Sequence, residues 1–385
     1  MKITKFRLKP LLTLILPILL NSIHSQIYIG DYMGIQSEIL GEQRVLLVHL
    51  PDEYTQTEIH YPVLYLLDGD DHFHHVTGLI DRQADLGLMP RMIVVGLRNS
   101  NRNRDFTPTS VNYLSTSGGA DQFLEFLSNE LIPSVDSQFR TAPYRMLVGH
   151  SLGGLLTAYA FLNKPDLFSS YIILSPDLLY DEENIFSGAA DRLKAMPATR
   201  KSVYLAVGSS EEKLINPSQR LNRLIRKNTS HNIKSTFEVI KYADHGTVVH
   251  QAIYSALEKI FGNWRFPPAD VSGGLSAIQL HYNKLSEELG YPVIPYEADI
   301  NAMGYALLKA GRRTAALDVF KYNVRLYPNS ANAYDSLGEG YAALSDLESA
   351  LDNYRIAVRK GEESEDPNLF LFRQHRDAID LQIKR

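Results

Sequence analysis

Gly149, His150, Ser151, Leu152, Gly153 and Gly154 stand directly after the apolar run 146–148 and directly before an apolar stretch with helical spacing, 155–162. A serine flanked by glycines where a strand turns into a helix is a setting for a nucleophile. The turn is sharp, the hydroxyl stands exposed at its apex, and the glycines let strand and helix pass without a Cβ clash. A serine hydroxyl attacks a carbonyl only when a base takes its proton, and that base needs a third group to fix its tautomer.

Two downstream loops carry candidates for those roles. After the run 203–207 come Gly208, Ser209, Ser210, Glu211 and Glu212, and after 237–240 come Tyr242, Ala243, Asp244, His245 and Gly246. His245 is the expected general base and Glu211 the expected orienting acid. Glu212 is its near rival, and Asp177, after Ser175 and Pro176, is a weaker one. Asp244 adjoins His245 in the chain, where side chains rarely face each other across a catalytic hydrogen bond, so it reads as structural. The negative charge that develops on an attacked carbonyl oxygen needs N–H donors, each worth about 2.7–4 kcal/mol. The backbone N–H of Leu152 is one expected donor. The other is the backbone N–H of Asp70, in the tight turn Asp68, Gly69, Asp70 that follows the run 63–67.

That loop continues as Asp71, His72, Phe73, His74 and His75. Such spacing can chelate, but the sequence supplies no distant partner motif of the His-Glu-x-x-His kind, so no metal is expected and His72 and His74 read as a substrate rim. Arg98, Arg102 and Arg104 invite a similar reading. Arg102 and Arg104 are expected on the rim as grips for an anionic group, with pairing to Asp105 or other carboxylates as the competing fate.

These loops need elements to hold them. Short β-branched and apolar runs at 45–50, 63–67, 92–97, 145–148, 171–174, 203–207 and 237–240 read as strands. Amphipathic stretches lie between them, such as Phe123, Leu124, Phe126, Leu127 and Leu131, or Ile253, Leu257, Ile260 and Phe261. Their alternation predicts an α/β protein with a mostly parallel, doubly wound sheet and its chemistry at the carboxyl ends of the strands.

The pattern stops near Trp264, Phe266, Pro267 and Pro268, and the stretch through Gly273 and Gly274 reads as a linker. Beyond it, Gly304, Ala316, Leu317, Phe320 and Val324 recur as Gly338, Ala350, Leu351, Tyr354 and Val358, each 34 residues later. That period and its small and large positions resemble the tetratricopeptide repeat, a small all-α helix-pair unit. A helix through Leu280, Leu285 and Leu289 is expected to cap the stack. The expected boundaries are 1–25 for a leader, 26–265 for the α/β domain, 266–295 for linker and capping helix, and 296–385 for the repeats.

Composition narrows the function further. The chain has 385 residues, 44% hydrophobic and 22% charged, which is a globular composition of about two domains. A net charge of -5 gives no electrostatic footprint for nucleic acid. The absence of cysteine removes disulfides, thiolate metal sites and thiol nucleophiles together. Lys2, Lys5, Arg7 and Lys9 precede an apolar stretch from Leu11 to Leu20 and a short polar run ending at Ser25, the layout of a secretory signal peptide. The apolar part falls short of the ~20 residues needed to span a bilayer. Its removal would carry the net charge from -5 to -9, and the expected product is an exported protein, periplasmic or secreted, with no integral membrane segment.

Taken together, Leu66-Leu67-Asp68-Gly69-Asp70, Arg104-Asp105-Phe106-Thr107-Pro108, Gly149-His150-Ser151-Leu152-Gly153-Gly154, Gly208-Ser209-Ser210-Glu211 and Asp244-His245-Gly246 resemble the α/β-hydrolase esterase family. This family includes esterase D (S-formylglutathione hydrolase) and the siderophore-hydrolysing esterases for enterobactin and bacillibactin. The resemblance runs from Ile27 to Trp264 and implies an α/β-hydrolase fold and a serine esterase acting on carboxylic esters without metal or organic cofactor. A siderophore trilactone esterase is the alternative within that class, and an acyltransferase shares the same acyl-enzyme. From another class comes a protein-binding module in which the repeats do the work and the hydrolase domain is degenerate. The repeats themselves could bind a partner, mediate self-association, or cover the mouth of the site.

Overall fold

The computed structural model describes residues 28–55, 57–229, 232–267 and 273–385. The expected leader and the middle of the expected linker lie outside these residues.

Eight strands form one sheet: β1 (Asp31–Ser37), β2 (Glu42–His49), β3 (Tyr61–Leu66), β4 (Ile93–Leu97), β5 (Thr141–His150), β6 (Ser170–Leu174), β7 (Lys201–Gly208) and β8 (Ile233–Ile240). Their order is β1-β2-β4-β3-β5-β6-β7-β8. The pairs β1–β2 and β2–β4 are antiparallel, and every other pair is parallel. Seven strands coincide with the apolar runs of the sequence, with ends moved by a few residues. β1 carries no such signal, because Asp31, Gly34 and Gln36 interrupt it and an edge strand with one partner need not be apolar throughout.

The helices of this part are α1 (Gly69–Asp85), α2 (Arg102–Phe106), α3 (Ala120–Phe126), α4 (Ile132–Gln138), α5 (Leu152–Asn163), α6 (Tyr180–Glu183), α7 (Ala189–Lys194), α8 (Glu212–Asn228) and α9 (Val248–Ile260). Successive side chains of a strand point to opposite faces, and here both faces are covered. In β3, Leu64 and Leu66 pack into the core under α1 and α9, while Val63 and Tyr65 join the core built with α3, α5 and α8. Four of the connections end where β3, β5, β7 and β8 leave the sheet at the same edge, and these are the loops that carry Asp70, Ser151, Glu211 and His245.

Six helices follow: α10 (Gly274–Leu289), α11 (Glu297–Lys309), α12 (Arg313–Leu326), α13 (Ala331–Ala343), α14 (Leu347–Glu363) and α15 (Leu369–Ile383). The pair α11–α12 and the pair α13–α14 begin 34 residues apart at both helices, Glu297 to Ala331 and Arg313 to Leu347. The same crossing recurs in each. A Cβ on Gly304 would lie 2.3 Å from the Phe320 ring, and one on Gly338 would lie 2.7 Å from the Tyr354 ring. Only glycine lets the aromatic ring of the second helix sit against the backbone of the first.

This helical part packs at the amino ends of the parallel strands. Tyr144, near the start of β5, lies with its ring 6.3 Å from Tyr291 and 6.0 Å from Phe261. Arg200, just before β7, donates to the carbonyl of Glu287 at 3.0 Å, and Arg91, just before β4, donates to the Tyr296 hydroxyl at 3.5 Å. Trp264, Ile278, Tyr282 and Tyr291 are buried in a core continuous with that under α1 and α9. Ser151 sits at the opposite, carboxyl edge, so these contacts do not place the helices over its mouth as a lid. Ending the chain after residue 265 would uncover Tyr144, Phe261 and Trp264 as an apolar patch. The truncated protein is expected to melt at a lower temperature and to bind an apolar dye in its folded state; an unchanged melting midpoint without dye binding would contradict this docking.

Candidate active site

Ser151 lies between the last residue of β5 and the first of α5, with φ 61° and ψ −119°. A non-glycine residue at such angles stores about 1–3 kcal/mol, held only by its surroundings. The surroundings are tight. A Cβ on Gly149 would stand 2.1 Å from the carbonyl oxygen of Gly153, and one on Gly154 would stand 2.8 Å from that of Leu174. The Ser151 N–H donates to Leu174 across the sheet at 3.0 Å, while its hydroxyl makes no capping bond to α5. The hydroxyl is therefore not spent on the helix it precedes.

His245 comes from the loop after β8, and its Nδ1 lies 2.6 Å from Glu211 Oε1. The Glu211 side chain is 7% exposed and the His245 side chain 50% exposed, so the pair has one dry and one wet end. The other Glu211 oxygen, Oε2, accepts from the Gly208 N–H at 2.6 Å and from the Ser175 hydroxyl at 2.5 Å. Three donors thus fix the carboxylate, which can hold the imidazole in one tautomer. Glu212 is exposed and opens α8, and Asp177 is half-buried with its carboxyl pushed up by burial. Asp244 accepts from the N–H groups of Gly246 and Thr247 and from the Thr247 hydroxyl, and so shapes the turn on which His245 stands. The His150 ring lies 4.5 Å from the His245 ring. Burial, with His245 and His72 beside it, brings His150 down to about 4.

Leu152 and Asp70 lie in the first turns of α5 and α1, where backbone N–H groups have no partner within the helix. The two helix starts abut, since a Cβ on Gly153 would come within 3.0 Å of Asp68 Oδ2. Asp68 precedes α1 with φ 53° and is buried. Its carboxylate accepts from Arg102 Nε at 2.6 Å, Arg102 Nη2 at 3.0 Å and Asn99 Nδ2 at 2.8 Å, and Arg102 Nη2 also donates to the His150 carbonyl at 3.1 Å. The Asp70 carboxylate pairs with Arg98 and accepts the Asn99 N–H, leaving only its backbone N–H for the site.

The arginines of the expected rim need correcting. Arg102 is held by Asp68 and the backbone of the nucleophile turn. Arg104 donates to both oxygens of Glu42, at 3.1 and 2.7 Å, and to Asp105 at 2.8 Å. Both are occupied by carboxylates, so neither offers a free cation for a substrate; their role is to brace the loop. His72 and His74 lie on α1, His72 half-buried with its ring 5.9 Å from His150 and His74 exposed. Glu42 carries no signal in the sequence that marks it for the site, whereas Asp68 stands in the tight turn before Asp70 and Ser175, ahead of Pro176 at a strand end, has a local cue.

The family described as “Putative esterase” matches residues 37–253, more than half of the chain. Among curated proteins the chain is similar to the ferri-bacillibactin esterase BesA of Bacillus subtilis, 34% identical over 143 residues, 32% of this chain and 50% of that protein. It is also similar to the siderophore triacetylfusarinine C esterase of Aspergillus fumigatus, 30% identical over 152 residues, 36% of this chain and 51% of the relative. The chain therefore spans about half the length of these two relatives. Among solved structures, an IroE-like serine hydrolase from Shewanella oneidensis matches with a TM-score of 0.66 at 26% identity, covering 78% of this chain and 99% of that one. A protein of unstated function from Capnocytophaga ochracea matches with a TM-score of 0.62 at 20% identity and covers 91% of this chain and 99% of its own, so its fold includes helices beyond the sheet.

Two outcomes test the geometry. Gly149→Ala is expected to cost about 1–3 kcal/mol or more through overpacking against Gly153 and Thr157, while Gly78→Ala, whose Cβ meets nothing within 4 Å, leaves the denaturation midpoint unchanged or raises it. The hydrogen bond from Arg104, with help from Arg44, lowers the Glu42 carboxyl from 4.5 to about 2 despite the opposing effect of burial. A carboxyl depressed in the folded state adds stability above its unfolded pKa and loses it as pH falls through the folded one. Glu42→Gln should accordingly be less stable than wild type at neutral pH, with the gap closing between about 4.5 and about 2 in denaturant titrations; a constant gap would refute the brace.

Proposed function

The chain belongs to this esterase family, and we propose that it hydrolyses esters as a serine enzyme with Ser151 as nucleophile, His245 as base and Glu211 as the acid that orients it. The observation that carries this reading is the His245 Nδ1 to Glu211 Oε1 contact of 2.6 Å beside a serine held at φ 61°. Ser151 Oγ attacks the ester carbonyl while His245 Nε2 takes its proton. The N–H groups of Leu152 and Asp70 receive the developing oxyanion. His245 then returns the proton to the leaving alcohol, and the acyl-enzyme is cleared by water through the same base. Contact between Ser151 and His245 need not be closed in the free enzyme, since such bonds often tighten only around substrate.

The substrate in this reading is a carboxylic ester, and the names of the similar proteins favour a siderophore trilactone as a second, narrower reading. Among the described residues no helix is long and apolar enough to cross a membrane. The chain is further proposed to be exported by its basic and apolar leader. The 34-residue helix pairs are proposed to be tetratricopeptide units that present a surface for a partner or a second copy at the edge away from the site.

Initial rates on p-nitrophenyl acetate and butyrate, with chelator present, test the triad. Ser151→Ala and His245→Ala are expected to lose on the order of 10⁶ in turnover and Glu211→Gln on the order of 10⁴, with Glu212→Gln near wild type. Retained activity in Ser151→Ala, or a Glu212 variant worse than the Glu211 variant, would refute the assignment. Incubation with a cyclic catecholate trilactone, followed by chromatography, tests the narrower reading; the linear trimer should appear with wild type and not with Ser151→Ala.

A further inference from the structure

A row of five imidazoles runs along the rim of the site. Ring centre to ring centre, His245 lies 4.5 Å from His150, His150 5.9 Å from His72, His72 5.3 Å from His75, and His75 5.3 Å from His250. In the outer half of the row, nitrogen faces nitrogen. His72 Nδ1 is 3.1 Å from His75 Nε2, and His75 Nδ1 is 3.2 Å from His250 Nδ1. His72 and His75 stand one turn apart on α1, and His250 comes from the first turn of α9. The tertiary structure thus brings up the distant histidine that the local run 71–75 lacks.

Two imidazole nitrogens that face each other at this distance share either one proton or one cation. Zinc–imidazole bonds of about 2.0–2.1 Å at a tetrahedral angle place two nitrogens roughly 3.3 Å apart, close to the 3.2 Å between His75 and His250. Both rings must offer lone pairs. Among the described residues the histidines paired with carboxylates are His49, His245 and His375, so neither His75 nor His250 is engaged by an acid. His250 is exposed and His75 half-buried, which gives an ion access and leaves its outer positions to water.

We infer that His75 Nδ1 and His250 Nδ1 form a clamp for a divalent late transition-metal ion, with His72 as its outer partner. In this arrangement His75 Nε2–H donates to His72 Nδ1, which fixes the tautomer that leaves His75 Nδ1 free to coordinate. Imidazole donors select zinc, copper or nickel and not calcium or magnesium. The clamp does not depend on the esterase reading, because neither His75 nor His250 has a part in the proposed reaction.

Zinc binding by equilibrium dialysis on the full chain tests the clamp. Asp335, Glu339 and His375 also lie within 4.8 Å of one another, so all proteins carry Asp335→Asn to remove that competing group. The parent is expected to hold one equivalent of zinc more than His250→Ala or His75→Gln, and no calcium. His72→Ala should keep the equivalent with affinity weakened about 10–100-fold, the usual cost of losing an outer-shell partner. Equal zinc content in the parent and in a folded His250→Ala protein would overturn the clamp and leave the row as proton-bridged rings; undiminished affinity in His72→Ala would overturn the part given to His72.

Discussion

The site depends on the crossing of β5 and α5 at Ser151. That turn is strained at φ 61°, and it persists because Gly149 and Gly154 let the carbonyls of Gly153 and Leu174 approach closer than a Cβ allows. The neighbouring strand β3 ends in the same way, with Asp68 at φ 53° ahead of α1. Two residues at positive φ therefore open two helices side by side at one edge of the sheet. Arg102 joins them by holding the Asp68 carboxylate and the His150 carbonyl at once. Removing Arg102 would leave the buried Asp68 carboxylate without its cation.

Charge is sorted around this crossing. Carboxylates and guanidinium groups pair among themselves in the loop that carries Arg104 and Asp105, with Arg44 closing the network from β2. Burial lowers the imidazoles of His72, His75 and His150 and so favours their neutral forms. A neutral His150 ring 4.5 Å from His245 does not oppose positive charge on that imidazole, whereas a second imidazolium would. The helical pairs act at the far end of the sheet. They continue the core through Trp264, Tyr282 and Tyr291, and the mouth at the carboxyl edge stays clear of the contacts they make.

The sequence by itself determined what is local. Apolar runs bounded by turn residues marked seven strands, the glycine-flanked Ser151 marked the strand-to-helix turn, and the 34-residue recurrence from Gly304 to Gly338 marked two helix pairs, because each follows from steric demands within a few residues or from a period. The sheet order, the placement of the helices at the amino edge and the partners of the polar side chains were decided by tertiary structure. Glu211 and Glu212 are indistinguishable as letters; the fold sets them apart by burying Glu211 against Gly208 and Ser175 while Glu212 opens a helix in solvent. Arg102 and Arg104 look like grips for an anion until the chain folds back and supplies Asp68 and Glu42 as their carboxylates. His250 has no visible relation to His75 until α9 is laid beside α1. A side chain's chemistry is written in its type, but its charge state and its partner depend on which distant residues share its space, and only the packed chain fixes that.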